Sequence, residues 1–188
     1  MKKLFCGLIA GLLLWAIFSG HHTNHALSGT AFVRQIVDSG ANNNYSQIGF
    51  ALMKENIGLL SIGISDSDTL KILGQPEQKS TARIWGADGM EHQGWYYNAK
   101  GIELDMIRKE NKQEVNMISI KSPCDYKTQR GIQIGSSSAE VQRAYKNEIN
   151  LHDSKSDSSI VAGTIYGGII FGLKDTIVTS IFIGAAAE

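Results

Sequence analysis

Apolar positions along this chain follow two spacings, one near every third or fourth residue and one at every second residue. The helical spacing appears first. Val33, Ile36 and Val37, flanked by Phe32, predict a helix over 31–38, broken by Ser39-Gly40-Ala41-Asn42-Asn43-Asn44. Ile48, Ala51 and Leu52 predict a second helix over 46–54 that ends near Asn56-Ile57-Gly58. Thr69, Ile72 and Leu73 mark the buried stripe of a third. It opens at Ser65-x-x-Asp68, a capping box with Asp in the usual Glu position, and stops at Gly74 and Pro76. The spacing then becomes strand-like. Strands are predicted over 80–85, 93–97, 101–107 and 115–121, with turns at 86–89, 98–101 and 110–112.

The same order then returns. Ile62-Gly63-Ile64-Ser65-x-x-Asp68-Thr69 is answered by Ile134-Gly135-Ser136-Ser137-x-x-Glu140-Val141. Val115-x-x-Ile118-x-Ile120 is answered by Val178-x-x-Ile181-x-Ile183. After Ser137, the stripe Val141, Ala144 and Tyr145 predicts a helix. A polar loop over 151–159 and strands over 160–166, 168–173 and 176–183 follow. A repeat this long makes each copy a supersecondary module. The expected fold class is therefore α+β: two tandem repeats of a helix plus an antiparallel β-meander, with an additional N-terminal helix. The expected organisation is a signal peptide or anchor over 1–28, a helical segment over 29–58, a first repeat over 59–123 and a second over 124–184.

The N-terminus changes the picture of where the protein works. Met1-Lys2-Lys3 is a positive leader, and Leu4 to Phe18 is an unbroken apolar run. That run is short of the roughly 20 residues that span a bilayer and suits the core of an export signal. Ala26-Leu27-Ser28 and Gly29-Thr30-Ala31 offer small residues for cleavage, and an uncleaved membrane anchor is the alternative. Lys+Arg and Asp+Glu both number 18, so no general basic field exists to hold nucleic acid. Of the two cysteines, Cys6 lies in the apolar run. Cys124 is left without an internal disulfide partner, and stability must come from the core.

The stretch Ile62-Gly63-Ile64-Ser65-x-x-Asp68-Thr69-x-x-x-Leu73-Gly74-x-Pro76 resembles the opening of the small outer-membrane-assembly lipoproteins of the BamE/SmpA/OmlA type. Trp95-Tyr96-Tyr97, Gly101-Ile102-Glu103-Leu104 and Val115-x-x-Ile118 continue the resemblance in order. The tandem arrangement also looks like the β-lactamase-inhibitor-protein fold. The chain departs from the first family in lacking its lipoprotein cysteine and in having two units, and from the second in lacking paired cysteines. The likeness to the two-unit inhibitor fold implies an inhibitor of a secreted or periplasmic enzyme.

Candidate chemistry is sparse. His21, His22 and His25 have spacing that can ligate Zn or Cu, but no other ligand type accompanies them, so no metal is expected. His92 beside Glu91 and His152 beside Asp153 read as surface-loop histidines, since neighbours on a strand face opposite ways. Cys124, next to Asp125, reads as a structural cysteine. Gly167-Gly168 and Gly131-x-x-x-Gly135 lack the Lys-Ser/Thr and the setting of a phosphate loop. No catalytic residue, metal or cofactor is therefore expected, nor any cleft that joins His92, His152 or Cys124 to a second catalytic group. The aromatic residues are the remaining signal. Trp85, Trp95, Tyr96 and Tyr166 are candidate partner-binding anchors, of the residue types favoured at interfaces. The reading is an exported, non-enzymatic protein-binding or assembly-support module of the cell envelope. Its partner is another protein of the envelope or extracellular space, with no nucleic acid, and any membrane contact is through an uncleaved N-terminal segment. Alternatives are an inhibitor of a secreted or periplasmic enzyme and a small hydrolase.

Overall fold

In the computed structural model, residues 44–155 and 157–186 are described. The signal segment, the helix expected over 31–38, and His21, His22 and His25 lie outside them. Helix α1 covers 44–52. Helices α2 (Asp66–Leu73) and α3 (Ser138–Ala144) start at the two serines of the repeated motif. The strands are β1 (Gln78–Lys79), β2 (Arg83–Ile84), β3 (Glu91–Tyr97), β4 (Ile102–Lys109), β5 (Lys112–Lys121), β6 (Ser159–Thr164), β7 (Gly167–Lys174) and β8 (Ile177–Gly184).

All these strands belong to a single eight-stranded antiparallel sheet in the order β1-β3-β4-β5-β8-β7-β6, with β2 also paired to β3. This corrects the expected fold class. Two tandem helix-plus-meander units are not what the chain builds. Strand β8 pairs along β5, with Ile118 opposite Ile183 and Ile120 opposite Ile181, so the sheet runs unbroken through the point where a unit boundary was expected. One buried cluster joins Trp95, Leu104 and Ile118 to Ile169, Phe171 and Ile181. Helices α2 and α3 are about two turns each, too short to carry modules of their own.

The local part of the repeat is nonetheless real. Gly63 donates to Val115 O and Val115 N donates to Ile64 O; Gly135 donates to Val178 O and Val178 N donates to Ser136 O. Gly63 and Gly135 adopt φ 86° and 92°, which glycine reaches without the strain of a side chain. Ser65 and Ser137 each accept from the N–H three residues on. Both motifs therefore dock a helix start on the sheet in the same way.

The strand expected over 80–85 is also corrected. Of that span only β2 (83–84) is strand; β1 (78–79) precedes it, a break separates the two, and both lie on the outer edge of β3. At the break Ser80 Oγ accepts from Gly94 N at 2.9 Å, replacing a ladder bond with a side chain.

The segment just after α1 is stitched to the far half of the chain. Glu55, 7% exposed, accepts from Arg130 Nε at 2.8 Å and from Tyr145 Oη at 2.9 Å. Arg130 also bonds Glu148 and Ala144 O and lies over the Tyr145 ring. Gly58 donates to Lys127 O, and Ile57 bridges both Leu60 and Thr128.

A candidate binding cleft on one sheet face

Side-chain alternation divides the sheet into two faces. Trp95, Tyr97, Leu104, Ile118, Ile120, Ile181, Ile183 and Phe171 fill the core face. Tyr97 Oη reaches Gly74 O at the end of α2, and Tyr145, just past α3, meets Phe171 with ring centres 5.0 Å apart, so both helices cover this face. The opposite face carries His92, Gly94 and Tyr96 of β3, Glu103 and Asp105 of β4, and Met117 and Ser119 of β5. It continues through Phe182 of β8 and Ile170 of β7. Here Tyr96, Met117, Ile170 and Phe182 remain half-buried.

Glycines shape that face. A side chain at Gly94 would collide with the Tyr96 ring, and one at Gly184 with Met117. Without them, Tyr96 and Met117 lie flat along the sheet. A cleft of about 310 Å³ opens beside them, lined by Ser80, Thr81, Arg83, Trp85, Tyr96 and Glu103, with His92 and Asp105 also in its wall.

His92 is the best-tied side chain in this region. It is 2% exposed. Its Nδ1 lies 2.7 Å from Asp105 Oδ2 and its Nε2 lies 2.9 Å from Asp88 Oδ2. Trp85 stacks on the imidazole with 3.8 Å between ring centres and 2° between planes. The local sequence explains each contact. The turn from Trp85 to Met90 is closed by Trp85 N to Met90 O and Gly89 N to Trp85 O, with Gly89 at φ 70°. Asp88 Oδ1 accepts from Met90 N, which aims Oδ2 back at His92. On the other side, a bulge in the β4–β5 ladder at Asp105/Met106 turns Asn116 toward the cleft, and its amide donates to Asp105 Oδ2 at 3.0 Å.

Ionised carboxylates accept but cannot donate. An imidazole satisfied by carboxylates at both nitrogens therefore carries both protons. Burial is the largest single influence on His92 and lowers its pKa. The hydrogen bonds and charges of Asp105 and Asp88 together outweigh burial, leaving the net value above the ordinary 6.5. Asp88 is held below its ordinary value by the Met90 N–H and then by His92.

The expectation that His92 sits in a surface loop is thus wrong. The cleft wall also holds it at hydrogen-bond distance from two acids, a juxtaposition the sequence reading did not anticipate. Its partners are four positions back across a turn and one strand away, whereas the adjacent Glu91 faces the other way and pairs with Arg108. The only sequence cue was the Asp88-Gly89-x-x-His92 hairpin, and Asp105 became visible only through the strand register.

The four aromatic candidates separate. Trp85 and Tyr96 meet at the cleft. Trp95 is 1% exposed in the core, under Lys79, so it cannot be a surface anchor. Tyr166, 65% exposed, lies at the β6–β7 turn at the other edge of the sheet. His152 is exposed and pairs with Asp153. Cys124 is buried and its thiol is pushed up by that burial, which makes it a poor nucleophile. Among the described residues no group of three or more His, Cys, Asp or Glu side chains is disposed to hold a metal ion. Every buried polar side-chain atom among them has a partner.

Comparison with family models, with curated proteins and with solved structures found no match for this chain.

Proposed function

We propose that this chain is an exported, non-enzymatic protein-binding module of the cell envelope, and that it binds its partner with the sheet face around the Trp85–Tyr96 cleft. The observation that carries the reading is the pairing of two interface-type aromatics at one cleft, on a face where Met117, Ile170 and Phe182 also stay half-buried, although Ile107 and Val161 of the same face are buried. The leader Met1-Lys2-Lys3 and the apolar run to Phe18 support export. Catalysis has weak support. A general base needs a free nitrogen, and in the doubly protonated form that this geometry describes both nitrogens of His92 are committed to carboxylates. Among the described residues no helix is long and apolar enough to cross a membrane.

The test is site-specific photo-crosslinking in the native host. A photoreactive residue in place of Tyr96 or Met117 should trap one discrete envelope protein. The same residue in place of Lys71, exposed on α2, should not. Equal trapping from both positions, or none from Tyr96 and Met117, overturns the reading. Intact mass of the purified protein should show loss of the leader by a cut between residues 20 and 31. Full-length cytosolic protein would remove the envelope from the proposal.

A further inference from the structure

We infer that Asp88, His92 and Asp105 form a proton-operated clamp that holds the Trp85 turn down against the cleft and releases it when His92 loses a proton. The inference rests on the proposed binding face only for its biological consequence, because the clamp can be tested with no partner present.

The geometry sets the mechanism. The turn from Trp85 to Met90 bears on the sheet at two points, the Trp85 ring on the imidazole and Asp88 Oδ2 on Nε2. Both strengthen when the imidazole is a cation: the indole face favours positive charge, and Asp88 gains an ionic hydrogen bond. When one proton leaves, one carboxylate must face a lone pair. Asp105 is 12% exposed and Asp88 is 40% exposed. Asp105 keeps the remaining proton because it is the more enclosed carboxylate and the closer one, at 2.7 Å against 2.9 Å. Asp88 can turn to water. The Nε2 contact is therefore the one that breaks, and it is the one that ties down the turn. The Trp85 side chain is then held by stacking on a neutral ring, while its backbone stays tied to Met90, and the indole wall of the cleft loosens.

Other charges near His92 do not replace this control. Arg83 of β2 is its register partner and is exposed. Glu103 of β4 lies further along the same face. Glu91 of its own strand faces away and pairs with Arg108. Glu114 of β5 is paired with Lys109.

The sign follows from linkage. A histidine whose folded pKa is raised contributes stability fully below its unfolded value near 6.5, and loses it as pH rises through the folded value. The turn is therefore clamped in acid and loosened in base.

The experiment uses the full chain, labelled with ¹⁵N-histidine. Below the transition the His92 ring should show hydrogen on both nitrogens, and above it hydrogen on Nδ1 alone. Amide exchange in the Trp85–Met90 turn, corrected for its intrinsic pH dependence, should lose up to about tenfold protection per pH unit between the His92 midpoint with only Asp105 bound, read from Asp88→Asn, and the midpoint of the unmodified protein. In Asp88→Asn the midpoint should fall and the turn should keep only the weaker response that the Trp85 stack supplies, while amides of β7 and β8 stay unchanged. A neutral His92 at pH 6 in the unmodified protein overturns the clamp. So does a turn whose protection is flat across the His92 titration, or an Asp88→Asn chain that keeps the full response. None of these results depends on crosslinking from Tyr96 or Met117, so failure of the clamp and failure of the binding face are separately visible.

Discussion

Ser137 shows how much one side chain can do. Its hydroxyl accepts from Glu140 N, while Glu140 Oε2 accepts from Ser137 N at 2.7 Å, so two of the helix's unpaired donors are satisfied at once. Ser65 is the matching residue in α2, but Asp68 is one methylene shorter than Glu. It takes the Ser65 hydroxyl at 2.8 Å, with no bond to the Ser65 backbone N–H. Ser137→Ala should cost about 1 kcal/mol, read as a lower urea midpoint with unchanged slope. The Ser137 backbone N–H, and then its hydroxyl, hold Glu140 below the ordinary 4.5. The backbone share survives Ser137→Ala; the hydroxyl's share is present above 4.5 and is lost as pH falls through the lowered value, so the gap between wild type and Ser137→Ala should narrow in acid by that share.

At the scale of elements, the decisive join is between α1 and the segment leading into α3. Glu55 is a buried carboxylate held by Arg130 and Tyr145, and Arg130 is shared with Glu148. Removing the cation leaves Glu55 with the Tyr145 hydroxyl alone. Arg130→Met keeps the stem that covers the Tyr145 ring and removes the charge. Because Arg130 is one-third exposed, the cost should be below that of a fully buried pair, about 2 kcal/mol in a denaturant titration. Glu55→Gln in the same background should recover part of it, since a neutral amide tolerates burial better than an unpaired carboxylate. Neither partner could be found from sequence. Glu55 lies three residues past the end of α1 and Arg130 in a link between strand and helix, and no periodicity relates them.

At the scale of the molecule, the β5–β8 ladder makes the chain one cooperative body. Ile181 is fully buried, opposite Ile120 of β5 and Phe171 of β7. Ile181→Ala should cost about 2–5 kcal/mol through lost burial and the cavity left behind. It should lower the tryptophan-fluorescence and far-UV circular-dichroism transitions together, because Trp95 lies in the same core. Separate transitions for the two signals would show that the halves fold independently. By itself the sequence determined what local chemistry controls: the serine helix starts, the glycine that ends α2, the turns, and the alternation that puts Trp95 and Tyr97 on one face and Tyr96 on the other. Strand pairing lay beyond it. Period-two patterns show which face of a strand is buried but not which strand lies beside it, and β5–β8 pairing is built from backbone bonds that any residue supplies. The tertiary structure alone therefore merged the repeated motifs into one sheet. For the same reason it alone brought Asp88, His92 and Asp105 together, since their contact depends on a turn closing and on two strands meeting in one register.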